Sequence, residues 1–140
     1  MRYLLDTNIF IYLSTDRENF SLDVISMLSE SDALLYISAE SVRELIIAYN
    51  SKGLGNKQWK TAEDMVRSIE ETYFVEILPI AKDVMQTYSR LSVNKTMNHK
   101  DPSDHVIISH AMTLGMPLIS SDTRFPYYTR QGLKLIFNEK

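Results

Sequence analysis

Five short apolar runs alternate along this chain with longer helical patterns, and the alternation restricts the fold more than any other feature. The runs are Tyr3–Leu5, Leu34–Ile37, Phe74–Leu78, Leu118–Ser120 and Leu133–Phe137. Each is too short for a core helix and reads as a strand. Phe20–Leu28 sets Leu22, Ile25 and Leu28 at helical spacing, with Ser21 placed to cap them. Ser38–Asn50 carries Val42, Leu45, Ile46 and Tyr49 on one stripe before Gly53-Leu54-Gly55 breaks the chain. Trp59–Tyr73 and Ile80–Val93 predict two further helices, the second behind Pro79, and Asn94–Lys100 reads as a polar loop. Asp101-Pro102 supplies the cap and first residue of a last helix, which Gly115 closes before Pro117. Strands and helices in this order predict an α/β fold, with a mostly parallel central sheet flanked by helices. No repeat or linker divides the 140 residues, so one domain over 1–140 is expected.

Composition narrows the chemistry. A net charge of −3 argues against a basic glove for long duplexes. The absence of cysteine removes disulfides and thiolate metal sites. The opening Met1-Arg2-Tyr3-Leu4-Leu5-Asp6 meets an acid after three apolar residues, unlike a signal peptide or a spanning segment. The expectation is a cytoplasmic protein with no membrane contact.

In open α/β sheets, ligands gather beyond the carboxyl ends of strands. Asp6 follows the first run and Asp122 follows the fourth. Either could also be a helix cap, since aspartate after a strand commonly is. Asp104 is more informative, because at 100° per residue it shares a helix face with Ile107, Ile108 and Ala111. A carboxylate on that inward face needs a partner, and no lysine or arginine lies at helical spacing to supply one. Its rival reading is an acid in a first turn, favoured by the helix dipole. Glu44 lies off the apolar stripe beside Glu40, where a solvated glutamate also belongs, so its case rests on the other three acids. Glu40 itself reads as solvated, and its replacement as nearly silent.

Four converging carboxylates would repel one another without an ion, and hard cations such as Mg²⁺ or Mn²⁺ prefer such oxygen ligands. One ion or two would lower the pKa of a water and stabilise charge on a phosphate. His99, His105 and His110 share no zinc-type spacing. Neither a glycine-rich phosphate loop nor a Ser/His/Asp order is present.

With these residues in place, the chain resembles the PIN-domain nucleases, and among them the VapC-like toxins of bacterial and archaeal toxin–antitoxin pairs. The resemblance spans nearly the whole chain. It is carried by Leu4-Leu5-Asp6-Thr7-Asn8, Ile37-Ser38 leading to Glu44-Leu45, Asp101-Pro102-Ser103-Asp104 with Ile107 and Ala111, and Leu118-Ile119-Ser120-Ser121-Asp122. Carried over by position, it implies that Asp6, Glu44, Asp104 and Asp122 are the catalytic, metal-holding acids, with Asn8 and Ser120 supporting them. It further implies a Mg²⁺- or Mn²⁺-dependent endoribonuclease, a homodimer, and inhibition by a cognate antitoxin protein. One departure stands out: His105 follows the third acid, where toxin relatives often have arginine.

Arg43, Lys95, Lys100 and Arg124 lie close in sequence to these acids and are candidate phosphate contacts on the RNA substrate. Tyr127 and Tyr128 could stack on bases, although core packing suits them better. Two other readings remain open. One is a PIN-like binding or regulatory module with weak or no nuclease activity. The other is a phosphoacceptor or phosphatase domain built on Asp6, against which stands Asn8 where phosphatases need a second acid.

Overall fold

The computed structural model describes residues 1–139. Its five strands are β1 (Arg2–Leu5), β2 (Leu34–Ser38), β3 (Val75–Leu78), β4 (Leu118–Ser120) and β5 (Leu135–Phe137). They form one sheet in the order β3-β2-β1-β4-β5 with every pairing parallel. Six α-helices connect them: α1 (Thr7–Thr15), α2 (Leu22–Leu28), α3 (Ala39–Lys52), α4 (Ala62–Glu71), α5 (Lys82–Arg90) and α6 (Pro102–Leu114). Short 3₁₀ turns add Arg17–Asn19 and Pro126–Gln131. The chain winds outward from β1 to β3, then crosses back to lay β4 on the other side of β1. The β1/β4 junction is therefore the point where strand order reverses, the usual place for a ligand in such sheets.

Successive side chains of a strand point to opposite faces, and here this builds two cores. Leu4 and Leu118 pack with Ile107, Ile108 and Ala111 of α6 and with Phe125 and Tyr128. Leu5 and Ile119 pack on the other face with Ile9, Phe10 and Leu13 of α1, Leu45 of α3 and Met65 and Ile69 of α4. Helices thus cover both faces, as the near-continuous apolar strands require. Among the described residues, no helix is long and apolar enough to cross a membrane.

The caps explain most helix bounds. Ser21 accepts the Val24 N–H at 3.2 Å, Ser38 the Glu40 N–H at 3.2 Å and Asp101 the Ser103 N–H at 3.0 Å. Gly53 and Gly115 end α3 and α6 with φ of 73° and 62°, a region that side-chain-bearing residues rarely enter. Two predicted helices are shorter than expected. The pattern at Trp59 becomes helical only at Ala62, because Thr61 is the cap, accepting the Asp64 N–H at 3.0 Å, while Trp59 is a core side chain before it. The helix predicted over Ile80–Val93 covers only Lys82–Arg90, since Leu91 is extended and the Gln131 amide pairs with both backbone groups of Ser92. Phe74 lies outside β3 with φ of 55°, and Leu133 joins the core ahead of β5. At the β3 edge of the sheet, the outward N–H of Ile77 donates to Glu70 Oε2 at 3.0 Å.

Candidate active site

Asp6 leaves β1 directly into α1. It is 5% exposed, and both carboxylate oxygens are engaged: Oδ1 accepts the Thr7 N–H at 2.8 Å, and Oδ2 accepts the Ser120 hydroxyl at 2.7 Å. Capping and site placement are therefore one arrangement. Burial pushes the Asp6 pKa up to about 7; the Ser120 and Thr7 hydrogen bonds oppose that rise, and the charges of Asp104 and Glu44 add to it. Ser120, at the end of β4, also accepts the Asp122 N–H at 3.0 Å and so ties the two strand ends together.

Asp104 stands in the first turn of α6 and is 8% exposed. Its partners come from other elements. His99 Nε2 lies 2.9 Å from Oδ2, and Arg124 Nη2 lies 3.5 Å from the same oxygen. Burial again dominates and pushes the Asp104 pKa to about 7, with Asp101, Asp122 and Glu44 adding to the rise and Arg124 opposing it. Asp122 behaves oppositely. Burial would raise its pKa, but the Arg124 side chain and N–H hold it below the usual carboxylate range. Arg124 Nε is 3.0 Å from Oδ1 and Nη2 is 2.7 Å from Oδ2, a two-pronged clasp.

Glu44 comes from α3, where its Oε1 accepts the Thr7 hydroxyl at 2.6 Å. Burial, with the charges of Asp101 and Glu40, raises its pKa against the pull of that hydrogen bond. Two tight groups result, within each of which one ligand atom per residue lies within 4.8 Å of the others: Glu44–Asp101–Asp104 and His99–Asp104–Asp122. Asp104 belongs to both. Asp6 belongs to neither group, and its link to them is electrostatic.

The other residues singled out in the sequence take varied places. Asn8 is exposed and its side chain makes no hydrogen bond among the described residues, whereas Thr7 beside it reaches Glu44. Glu40 is not a solvated bystander: its side chain is 13% exposed and accepts Arg43 and the Ser103 hydroxyl, the latter at 2.6 Å. That joins α3 to the start of α6. Arg43 is paired with Glu40, and Arg124, partly exposed, holds Asp122 and approaches Asp104. Lys95 and Lys100 are exposed on the 94–100 loop. Tyr128 is fully buried, so it cannot stack on a base, and Tyr127 packs edge-on against it.

Sequence reasoning found no task for the histidines, and all three are buried. His99 Nδ1 lies 2.9 Å from the Tyr128 hydroxyl, which also accepts the Asn94 N–H at 3.1 Å. With that hydroxyl donating to Nδ1, the neutral ring carries its proton on Nε2 and donates it to the ionised Asp104. Burial pushes the His99 pKa down and favours this neutral form. His110 Nδ1 meets the Ser38 hydroxyl at 2.8 Å. His105 lies edge-on to His99 and is 4% exposed, so it does not replace an arginine at a phosphate.

A groove of about 370 Å³ opens beside the Glu44–Asp101–Asp104 group, between α3 and the start of α6, with Arg43, Ile47 and Ser103 on its walls. The sequence profile of the PIN domain matches residues 3–131, which include every acid of the site. The chain belongs to the PIN domain family. No curated protein sequence matches it. Among solved structures, this PIN domain is similar to a chain of VapBC-1 from nontypeable Haemophilus influenzae (TM-score 0.69, 24% identity, 98% of each chain covered). It is similar also to a chain of VapBC2 from Rickettsia felis, solved bound to a promoter DNA fragment (TM-score 0.71, 20% identity, 99% of this chain and 100% of that one). A third is VapBC-5 from Mycobacterium tuberculosis, a member of the VapBC family of toxin-antitoxin systems (TM-score 0.62, 14% identity, 99% and 98% covered). At these identities the likeness establishes a shared fold.

Proposed function

We propose that this PIN domain is a Mg²⁺- or Mn²⁺-dependent endoribonuclease and the toxin of a toxin–antitoxin pair. The observation that carries this reading is the surplus of buried negative charge where strand order reverses. Asp6 and Asp104 are both pushed to about 7, Glu44 is raised as well, and among the described residues the basic side chains that contact these acids are Arg124 and a neutral His99, both at Asp104. Such a cluster is costly unless a cation joins it. The donors offered are carboxylate oxygens, which suit hard divalent ions. PIN nucleases generally use divalent metal, which accords with this donor set.

Asp6, Glu44, Asp104 and Asp122 would hold the metal centre. A divalent cation bound there supplies a water of lowered pKa and offsets charge on the attacked phosphate. Thr7 holds Glu44 and Ser120 holds Asp6, so both carboxylates are oriented before substrate arrives. The groove along α3 receives the strand beside the scissile phosphate, with Arg43 and Lys52 on its walls, and Lys95 and Lys100 of the exposed 94–100 loop are further candidate phosphate contacts. RNA is the substrate class we favour, because a protein of net charge −3 suits short single-stranded segments better than long duplexes.

The VapBC relatives support a protein antitoxin partner, one whose basic side chains would satisfy the acids through charge-assisted hydrogen bonds. Homodimerisation and a cytoplasmic location complete the proposal. The test is incubation of the purified chain with a mixed RNA pool. Cleavage should need Mg²⁺ or Mn²⁺, stop with chelator, and be lost in both Asp6→Asn and Asp104→Asn. Cleavage that survives chelation, or persists in both variants, would refute it.

A further inference from the structure

The two acid groups that share Asp104 are provided for unequally. On one side, Asp122 has both oxygens clasped by Arg124, and Asp104 Oδ2 receives His99 Nε2–H at 2.9 Å with the Arg124 guanidinium at 3.5 Å. A cation already stands between these two acids, and the imidazole there donates a proton instead of offering a lone pair. On the other side, Glu44, Asp101 and Asp104 come within 4.8 Å of one another, and Glu44 and Asp101 line the open groove. Arg43 and Lys52 stand on its walls, but among the described residues neither forms an ion pair with these acids, Arg43 being paired with Glu40. Asp101 uses one oxygen, Oδ1, to cap α6 through the Ser103 N–H, and its other oxygen is uncommitted among the described residues.

We propose that the site takes a single divalent cation, on the Glu44–Asp101–Asp104 side, and that the Arg124 guanidinium serves as its second cation between Asp104 and Asp122. This rests on the metal-dependent reading above. It adds Asp101 to the acids that would hold the ion and, in place of ligation by Asp122, gives that residue the task of holding Arg124. The division of labour follows from the two cations. A guanidinium offsets phosphate charge through its planar fork of donors, but it stays protonated and does not make a nucleophile of water. The ion held by Glu44, Asp101 and Asp104 would supply the activated water, and Arg124, held by Asp122 and Asp104, would offset charge on the phosphate. The clasp also makes a second ion costly, because Arg124 would have to leave one buried and one partly buried carboxylate to admit it.

The experiment counts ions. The full chain, stripped by chelator, is titrated with Mn²⁺ alone, and free Mn²⁺ is read by electron paramagnetic resonance. One ion per chain is expected in the natural protein and two in Arg124→Gln. The Arg124 side chain is 36% exposed and its backbone carbonyl, which accepts Asn94 Nδ2, survives the change, so the variant should fold. Asp101→Asn keeps the cap, since an amide oxygen accepts the Ser103 N–H equally well, and should weaken Mn²⁺ binding by about tenfold or more. Asp122→Asn should weaken it less than Asp101→Asn does. Two ions in the natural protein, one ion in Arg124→Gln, or greater damage from Asp122→Asn would overturn the proposal and leave metal-dependent cleavage standing. No Mn²⁺ bound at all would overturn both.

Discussion

A carboxylate on the inward face of a helix must draw its donors from other parts of the fold, and Asp104 draws them from a loop before α6 and a turn after β4. The chain Asn94 N–H to Tyr128 hydroxyl to His99 to Asp104 is buried throughout, so removing its middle link has a definite cost. Tyr128→Phe keeps the ring in the core but leaves the Asn94 N–H and His99 Nδ1 without a partner. The expected loss is about 1–3 kcal/mol in thermal or denaturant melting. Nitrogen-15 spectra of His99 should show its tautomer no longer fixed, which loss of packing alone would not produce. Thr7→Val is the matching test at Glu44: it preserves shape, frees the carboxylate, and should lower cleavage more than it lowers stability. The acids were legible because their signals are local, namely an aspartate after an apolar run or an aspartate on an apolar stripe. His99, Thr7 and Arg124 were not read for their roles, because each acts through a contact that spacing along the chain does not encode. Glu40 misled for the same reason, since its partner Ser103 is 63 residues away.

Among the elements, the five strands and the capped helices were readable from apolar runs and turn chemistry, and their parallel order followed from the alternation. The first helix was not delimited. Its sequence, Thr7–Thr15, is apolar on nearly every side and rich in β-branched residues, so it shows no stripe, and burial of Ile9, Phe10 and Leu13 settles its form. The helices at Trp59 and Ile80 were drawn too long because apolar periodicity continues through residues that pack in the core without being helical. Gly115 offers a clean test of how α6 ends. A Cβ there meets nothing within 4 Å, so Gly115→Ala should cost about 1–2 kcal/mol of melting stability through backbone strain alone. A neutral result would mean that the left-handed turn is not what closes α6.

For the molecule as a whole, the acidic cluster couples folding to pH and to divalent ions. Asp6 and Asp104 titrate near 7 when folded but near 4 when unfolded, so the folded state binds more protons across that window. Their contribution to stability is complete below about pH 4 and is lost as pH rises towards 7. Asp122, with its lowered pKa, works the other way and loses its contribution on acidification. The metal-free protein should therefore melt higher at pH 5 than at pH 8, and millimolar Mg²⁺ should restore the loss at pH 8. Asp6→Asn should flatten the slope. A melting profile level across that range in the natural protein would contradict the charge assignment. The Glu70–Ile77 hydrogen bond has a consequence of another kind. A sheet ends in a row of unsatisfied backbone groups on which a second chain can stack, and at the β3 border one of those groups is already occupied from within. Glu76, charged and exposed on the same strand, adds repulsion between like borders. Copies that meet at β3 are thus discouraged from joining strand to strand, a safeguard against fibril growth. Glu70→Ala should shorten the lag before thioflavin-positive fibrils appear in concentrated, gently heated protein; an unchanged lag would show that this border was never exposed to such growth.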